Sequence, residues 1–217
     1  MNVLFYLCNY IEIPGDTMDQ DFFIRKMEKY ADEKGIPIME KEGINFLVEF
    51  VKLNNVKNIL EIGSAIGYSS ICMALASPSI TVTTIERDKD RYIQALKNVK
   101  AMNLDSRITL VLADALEFNT EEKYDLIFID AAKSQYIKFF EKFKKNLNPR
   151  GFIITDNINF HGLVMSDKSL MSRNLRQLIT KLEKYITFLN TNEEFKTRFF
   201  EVGDGVAISR RKKSKDE

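Results

Sequence analysis

The segment NILEIGSAIGYS, residues 58–69, decides the fold of this chain. It begins as an apolar strand and passes through Gly63 and Gly67 into a helical pattern that starts near Tyr68. A glycine directly after a strand lets the backbone approach a ligand closely, and the free N–H groups at a helix start suit a carboxylate. The spacing E-x-G-x-x-x-G lacks the middle glycine of the dinucleotide fingerprint. It therefore predicts a ligand-binding turn of another kind, with a turn that holds no ligand as the alternative.

Short apolar strands alternate with amphipathic helices after this segment. Strands such as DLIFID, residues 125–130, are apolar on both faces, as expected for a parallel sheet that helices cover on both sides. The pattern predicts strands over residues 56–62, 80–86, 108–113, 124–130 and 151–156, and helices over residues 68–76, 89–102 and 135–147. This alternation predicts a doubly wound α/β sheet.

The two ends of the chain complete the predicted architecture. Two amphipathic helices come first, with the apolar faces Phe22, Met27, Tyr30, Ala31 and Ile44, Leu47, Val48, Val51. A long helix over residues 169–189 precedes a hairpin of residues 197–202 and 206–210 that turns at Gly203-Asp204-Gly205. Parallel α/β units followed by such a hairpin resemble class I methyltransferases. We therefore expect a Rossmann-like α/β fold with a mostly parallel seven-stranded sheet, a C-terminal antiparallel hairpin and N-terminal helices.

Composition limits the classes of protein and of site. The length of 217 residues suits one domain, predicted as an N-terminal helical part (1–55), a core (56–210) and a charged tail (211–217). No apolar run is long enough to span a bilayer and the start of the chain lacks the features of a signal peptide, so we expect a cytoplasmic protein without a membrane partner. Cys8 and Cys72 are isolated, and His161 is the only histidine. A metal site would therefore rely on oxygen ligands, which suit magnesium, calcium or manganese.

Three polar residues follow two neighbouring strands. Asp130 comes at the end of the fourth predicted strand, and Asp156 and Asn157 follow the fifth. Ligands of open α/β sheets bind outside the carboxyl ends of the strands, so these three side chains should face one crevice. Two carboxylates and an amide suit a hard cation, whereas the alternative is that each aspartate only caps the segment after it.

The motifs around these residues resemble a known family. E-x-G-x-x-x-G is similar to motif I of S-adenosylmethionine methyltransferases, and D-A-A-K-x-x-Y (130–136) with T-D-N (155–157) resembles the metal-dependent O-methyltransferases, which include catechol and caffeoyl-CoA methyltransferases. The resemblance implies two cofactors, S-adenosylmethionine and Mg²⁺ or Mn²⁺. It implies metal ligation by Asp130, Asp156 and Asn157. It also implies catalysis by Asp130 and by Lys133, which would take the substrate's proton; the alternative for Lys133 is an exposed lysine at a helix start.

A cofactor site follows from the same resemblance. Glu86 ends the second strand, where doubly wound nucleotide binders place the carboxylate that accepts both ribose hydroxyls. Asp114 and Ala115 follow the third strand, where class I methyltransferases hold the adenine ring, although Asp114 also suits a helix N-cap. The full set of predicted cofactor-binding residues is Met39, Glu61, Gly63, Ser69, Glu86, Asp114, Ala115 and Asp130.

Longer stretches resemble one subfamily. IPIMEKEG, ILEIGSAIGYSS, YDLIFIDAAKSQY, FIITDN and VGDGVAIS, within residues 35–210, are similar to the bacterial methyltransferases of tRNA 5-hydroxyuridine. The resemblance implies methylation of the wobble base to 5-methoxyuridine and places Met39 near the cofactor, although a methionine is more often part of a core. The chain has no Trp and has Ala132 where catechol enzymes have an aromatic wall. A small residue there would leave room for a flipped-out base.

Local charge bears on the choice of substrate. Basic residues cluster over Lys138, Lys142, Lys144, Lys145 and Arg150, and over Lys168, Arg173, Arg176, Lys181 and Lys184. A tRNA partner would contact Arg173, Arg176 and Lys181, although charged helix faces are usually only solvated. The alternatives are a catechol or phenol O-methyltransferase and a noncatalytic protein that binds S-adenosylmethionine. The apolar N-terminal helices predict a homodimer.

Overall fold

A seven-stranded mixed sheet forms the centre of the molecule. The computed structural model describes residues 17–159 and 171–212, with side chains from residue 20 onward. The strands lie in the order β3-β2-β1-β4-β5-β7-β6. They are β1 (Asn58–Ile62), β2 (Thr81–Glu86), β3 (Ile108–Leu112), β4 (Tyr124–Ile129), β5 (Leu147–Thr155), β6 (Phe195–Phe200) and β7 (Val206–Arg211).

The strand directions follow the predicted pattern. β1 to β5 are parallel, β7 is antiparallel to β5, and β6 is antiparallel to β7. The sheet therefore ends in an antiparallel hairpin, and its parallel part has the carboxyl ends of β1, β2, β4 and β5 at one edge. The prediction of a Rossmann-like α/β fold with a mostly parallel seven-stranded sheet, a C-terminal antiparallel hairpin and N-terminal helices is confirmed.

Helices cover both faces of the sheet. They are α1 (Thr17–Lys34), α2 (Lys41–Leu53), α3 (Tyr68–Leu75), α4 (Lys89–Ala101), α5 (Tyr136–Phe143) and α6 (Arg173–Thr191). Alternating strand residues supply two cores, because successive side chains of a strand point to opposite faces. Ile59 packs with α1 to α4 on one face, and Leu60 packs with α5 and α6 on the other.

Several predicted boundaries are wrong. The helix predicted over residues 135–147 is a short α5 between two 3₁₀ turns, Lys133–Gln135 and Lys144–Asn146. β5 begins earlier than predicted because Leu147 pairs with Tyr124 before the register shifts. β6 lies two residues earlier than the predicted strand because Phe195 is buried and pairs with Arg211.

Other corrections concern the two ends. Arg211 belongs to β7 rather than to the tail, since its guanidinium lies 4.9 Å above the Phe195 ring. Phe22 is 64% exposed and so does not belong to the buried face of α1. α6 begins at Arg173 because the Ser172 hydroxyl caps it by accepting from Leu175 N at 3.3 Å. Predictions for residues 1–13, Cys8, His161, Lys168, Ser169 and the tail beyond Lys212 lie outside the described residues. Among the described residues, none of the helices is long and apolar enough to cross a membrane.

Candidate active site at the carboxyl edge of the sheet

A cavity of about 550 Å³ opens at the carboxyl ends of the parallel strands. Its volume is in the range of small-molecule and cofactor sites. Every strand from β1 to β5, either directly or through the segment that follows it, contributes to the lining, as does the turn between β6 and β7. The lining includes Gly63, Glu86, Asp114, Ala115, Asp130, Lys133, Asn157 and Asp204.

Gly63 lies where the end of β1 closely approaches the end of β4. Its φ is +100°, and a Cβ placed there would lie 2.0 Å from the carbonyl oxygen of Asp130. Any side chain would therefore have to displace the backbone of the adjacent strand end. The backbone N–H of Gly63 donates to Ile85 O at 2.9 Å, which ties the turn to β2. The glycine thus allows the end of β1 to lie against the end of β4 at the cavity wall.

Glu86 is held by backbone donors at the end of β2. Its side chain accepts from Ala65 N and from Asp88 N, both at 2.8 Å. Ala65 has a φ of +44°, which is uncommon for a residue other than glycine. The carboxylate is largely buried and lies on the cavity wall. This position suits hydrogen bonds from two neighbouring hydroxyls.

Asp114 caps the turn after β3 and also lines the cavity. Its Oδ1 accepts from Leu116 N at 2.8 Å, so it caps a turn over residues 115–117 rather than a helix. Asp114 and Ala115 form one wall of the cavity. The capping role and the predicted contact with a cofactor are compatible.

Three predicted cofactor residues lie behind the cavity wall. Glu61 is fully buried and accepts from the hydroxyls of Ser69, Ser70 and Thr84. Burial raises the pKa of this carboxyl from 4.5 to about 7. Met39 is buried against Gly43. The described cavity lining includes none of Met39, Glu61 and Ser69, and their contact with a cofactor stays a prediction.

The predicted metal ligands come together as the sequence indicated. Asp130 and Asn157 line the cavity, and Asp156 lies directly behind them with 2% of its surface exposed. Burial raises the pKa of Asp130 to about 6, against the charge of Lys133. Burial and the nearby Asp130 raise the pKa of Asp156 to about 7. Two carboxylates that oppose each other's ionisation form a site that a divalent cation would stabilise.

The donor set therefore fits a magnesium-like ion better than zinc. Among residues 20–159 and 171–212, no three Asp, Glu, His or Cys side chains are close enough to hold a metal. A cation here would instead rely on two carboxylates and the amide of Asn157, and substrate or water oxygens would complete its coordination. Such a mixed oxygen set is typical of Mg²⁺, which keeps several ligands that the protein does not supply.

Lys133 lies beside this group. Its Nζ donates to Asn157 Oδ1 at 3.2 Å, from a 3₁₀ turn that begins at Lys133 itself. Tyr136, one turn later, donates through its hydroxyl to Asp156 O at 3.1 Å and packs on the Tyr185 ring. The D-A-A-K-x-x-Y spacing thus places a lysine in the cavity and a buried tyrosine under the Asp156 backbone.

Sequence analysis missed Asp204 as a site residue. It lies in the turn between β6 and β7, which was interpreted only as a hairpin turn, yet it lines the cavity and accepts from Asn157 Nδ2 at 3.3 Å. The antiparallel pairing of β7 with β5 brings this turn to the carboxyl end of β5. A carboxylate between two glycines was the signal that could have identified it. Glu40, Arg87 and Arg91, which also line the cavity, carried no comparable signal.

The two predicted basic clusters differ in the partners and the exposure of their side chains. In the first, Lys144 is paired with Glu141 and Glu194, and Lys142 donates to the carbonyl of Leu116. The charge of Lys144 is therefore balanced by two carboxylates, whereas Lys138, Lys145 and Arg150 of the same cluster are exposed, and its contact with a nucleic acid stays a prediction. In the second, the side chains of Arg173, Arg176, Lys181 and Lys184 are exposed on α6.

Comparison with known proteins gives the family. The family model described as O-methyltransferase matches residues 16–212. The chain belongs to this O-methyltransferase family. A tapetum-specific methyltransferase of Arabidopsis thaliana is 31% identical over 194 residues, which cover 85% of this chain and 82% of the relative. A caffeoyl-CoA O-methyltransferase of Populus kitakamiensis is 29% identical over 193 residues, with the same coverage.

A solved structure is also similar to this chain. It is a Staphylococcus aureus protein whose assignment as a caffeoyl-CoA O-methyltransferase is itself provisional. It is 37% identical, covers 90% of this chain and 95% of its own, and superposes with a TM-score of 0.84. The prediction of an S-adenosylmethionine-dependent O-methyltransferase of the caffeoyl-CoA type is confirmed at the level of the family. The metal, the tRNA substrate and the homodimer stay predictions.

Proposed function

We propose that this O-methyltransferase transfers the methyl group of S-adenosylmethionine to a hydroxyl oxygen that has a second oxygen beside it, with a divalent cation bound by Asp130, Asp156 and Asn157. One observation carries the proposal. The Lys133 Nζ lies 3.2 Å from Asn157 Oδ1, next to two buried carboxylates, in the same cavity as Glu86. A protein that only bound the cofactor would need no such lysine beside a cation site.

Each part of the cavity has a chemical task in this proposal. Glu86 would accept hydrogen bonds from the two ribose hydroxyls of the cofactor, and Asp114 would line the part of the cavity that receives the adenine. A bound cation would lower the pKa of the hydroxyl that it contacts. Lys133, in its amine form, then receives the hydroxyl proton. The oxygen forms a bond to the methyl carbon while the bond between that carbon and the cofactor's sulfur breaks.

The curated relatives support a small phenolic substrate. Their names include caffeoyl-CoA O-methyltransferase and flavonoid 3',5'-methyltransferase. A caffeoyl group carries two neighbouring hydroxyls on one ring, so both oxygens can approach one cation. The cavity volume of about 550 Å³ suits a ring of this size beside the cofactor.

A specific observation favours tRNA as a second candidate substrate. Arg173, Arg176, Lys181 and Lys184 are exposed along one helix, α6, and phosphate contacts by such residues supply much of nucleic-acid affinity. A 5-hydroxyuracil also offers a hydroxyl beside the O4 carbonyl, which is the same two-oxygen arrangement. The small side chain of Ala132 in the cavity lining is compatible with a flipped-out base.

One experiment tests the reaction and separates the substrates. Enzyme and labelled S-adenosylmethionine are incubated with a catechol, with tRNA that contains 5-hydroxyuridine, and with tRNA that lacks it, each with Mg²⁺ or with EDTA. We expect label on a hydroxyl oxygen of at least one of the first two acceptors and none with EDTA. Full transfer in EDTA by metal-stripped enzyme would contradict the proposed metal.

Charge reversal tests the role of α6. Replacing Arg173 and Arg176 by Glu should weaken tRNA binding and leave the affinity for S-adenosylhomocysteine unchanged, because phosphate contacts position the nucleic acid without forming the cofactor site. The double replacement of Lys97 and Lys100 by Glu, on the exposed surface of α4, reverses the same number of charges; it is the matched control and should have a smaller effect. Efficient methylation of catechol without transfer to hydroxyuridine tRNA would exclude the second candidate.

A further inference from the structure

The turn between β6 and β7 is attached to the segment that follows β5. Asn159 N donates to Asp204 O at 2.9 Å, and Ile158 N donates to Gly205 O at 3.1 Å. A Cβ on Gly205, whose φ is +85°, would lie 2.8 Å from Asn159 Cβ. The close approach therefore requires glycine at this position. These contacts fix Asp204 relative to the residues just after Asp156.

Asn157 lies between two side chains of opposite hydrogen-bonding character. Its Nδ2 donates to Asp204 Oδ2 at 3.3 Å, and its Oδ1 accepts from Lys133 Nζ at 3.2 Å. An ionised carboxylate can only accept and an ammonium can only donate. Both neighbours therefore favour one orientation of the amide, and a flipped amide would bring donor against donor and acceptor against acceptor.

The orientation of the Asn157 amide decides which of its atoms faces the proposed cation site. Asn157 itself has a φ of +55°, so the chain turns sharply where the side chain enters the cavity. A cation at the site would bind the amide through its oxygen and not through its nitrogen. An amide that could flip would offer the wrong atom part of the time.

We propose that Asp204 is a positioning residue for the metal site: by accepting from Asn157 Nδ2, it holds the amide with its oxygen towards Lys133 and the cavity. This inference rests on the proposed function, since it assigns Asp204 to the metal site proposed there. Asp204 acts through Asn157 and is not itself a ligand. Partners behind metal ligands commonly have such a role, and their loss typically weakens metal affinity roughly 10- to 100-fold.

The test measures Mn²⁺ binding without turnover. The dissociation constant of Mn²⁺ is measured by electron paramagnetic resonance on metal-stripped protein in the presence of S-adenosylhomocysteine. Asp204→Ala should weaken binding roughly 10- to 100-fold. Asp204→Asn keeps an acceptor oxygen and should retain most of the affinity. Glu201→Ala removes an exposed carboxylate from the same hairpin and should bind Mn²⁺ like the wild type.

A second readout follows the Asn157 amide directly. In ¹⁵N-labelled wild-type protein without metal, the Asn157 side-chain amide hydrogens should exchange slowly with water, and Asp204→Ala should speed that exchange. Unchanged thermal unfolding and S-adenosylhomocysteine affinity show that the variant is folded. If wild-type protein binds Mn²⁺ and Asp204→Ala binds it equally well, the inference is overturned and the proposed function stands. If wild-type protein binds no Mn²⁺, the proposed metal site is overturned and the inference with it.

Discussion

The carboxylates in the two halves of the cavity have different surroundings. On the side of β1 and β2, Glu86 accepts two backbone N–H groups, both at 2.8 Å. On the side of β4 and β5, Asp130 and Asp156 lie close together in a buried position that raises the pKa of both groups. The first half has its hydrogen-bond donors built into the backbone, whereas in the second half the charge of Lys133 lowers the pKa of both carboxyls by less than burial raises it.

This difference assigns the two halves to different ligands. A carboxylate that is held by backbone donors is already positioned, and it can accept further bonds from neutral hydroxyls such as those of a ribose. A crowded carboxylate pair favours a cation, because the cation removes the repulsion that otherwise keeps a proton on one of them. As an ammonium, Lys133 stabilises the ionised form of both carboxylates, and it can receive the substrate's proton only as an amine, after it has lost its own.

The largest expected effect comes from Lys133, in the second half. Lys133→Met should slow the chemical step by roughly two to four orders of magnitude, because the hydroxyl proton loses its acceptor. The affinity for S-adenosylhomocysteine, which depends on the first half, should be unchanged. Single-turnover rates and calorimetric titration measure the two quantities. Lys138→Met, an exposed lysine on α5, is the control. An unaltered single-turnover rate in Lys133→Met would mean that the lysine has no part in the reaction.

Glu61 sharpens the comparison, because this buried carboxyl accepts from the hydroxyls of Ser69, Ser70 and Thr84. Its pKa is raised by burial from 4.5 to about 7, so between these pH values the folded state keeps a proton that the unfolded state has released. The free energy of unfolding should therefore fall as pH rises through this window, by up to roughly 3 kcal/mol. Glu61→Gln cannot titrate and should lack this part of the slope. Urea unfolding of both proteins on either side of the window, in EDTA, tests this; parallel slopes would contradict it.

A substitution at Gly63 tests the close approach of backbone at the boundary between the two halves of the cavity. Gly63→Ala would place a Cβ 2.0 Å from Asp130 O at a φ of +100°, so both the contact and the backbone conformation are unfavourable. We expect a loss of about 2 to 3 kcal/mol of stability and weaker binding of S-adenosylhomocysteine. Gly35→Ala is the control: its φ is +60° with nothing within 4 Å of the new Cβ, so it should lose only about 1 kcal/mol. Equal losses in the two variants would show that the close approach to Asp130 is unimportant.

Hydrophobic periodicity was sufficient to predict the sheet and its carboxyl edge. The parallel strands, the terminal hairpin and the positions of Asp130, Asp156 and Asn157 follow from alternating patterns and from the rule that the carboxyl ends of parallel strands share an edge. Helix and strand ends were less predictable, as the early start of β5 at Leu147 illustrates. That start depends on a register shift against β4, which local sequence does not encode.

Side-chain direction and long-range pairing account for two positions that local sequence does not give. Glu61, predicted as a cofactor-binding residue, lies behind the cavity wall, because it shares the sheet face of Ile59 and α3 covers that face with Ser69 and Ser70. Asp204 was missed because its place beside Asn157 depends on how the last hairpin pairs with β5, far away in sequence. Both outcomes depend on tertiary packing rather than on local propensity.

Binding of two ligands to each of two variants tests most directly whether the two halves of the cavity bind different ligands. Calorimetric titration of S-adenosylhomocysteine and of Mn²⁺ is carried out on Glu86→Ala and on Asp156→Asn. We expect Glu86→Ala to lose about 1.5 to 3 kcal/mol of S-adenosylhomocysteine affinity, because charge-assisted hydrogen bonds are removed, and to bind Mn²⁺ like the wild type. Asp156→Asn should lose Mn²⁺ binding and keep its affinity for S-adenosylhomocysteine. Unchanged Mn²⁺ affinity in Asp156→Asn would contradict the assignment of the second half of the cavity to a cation.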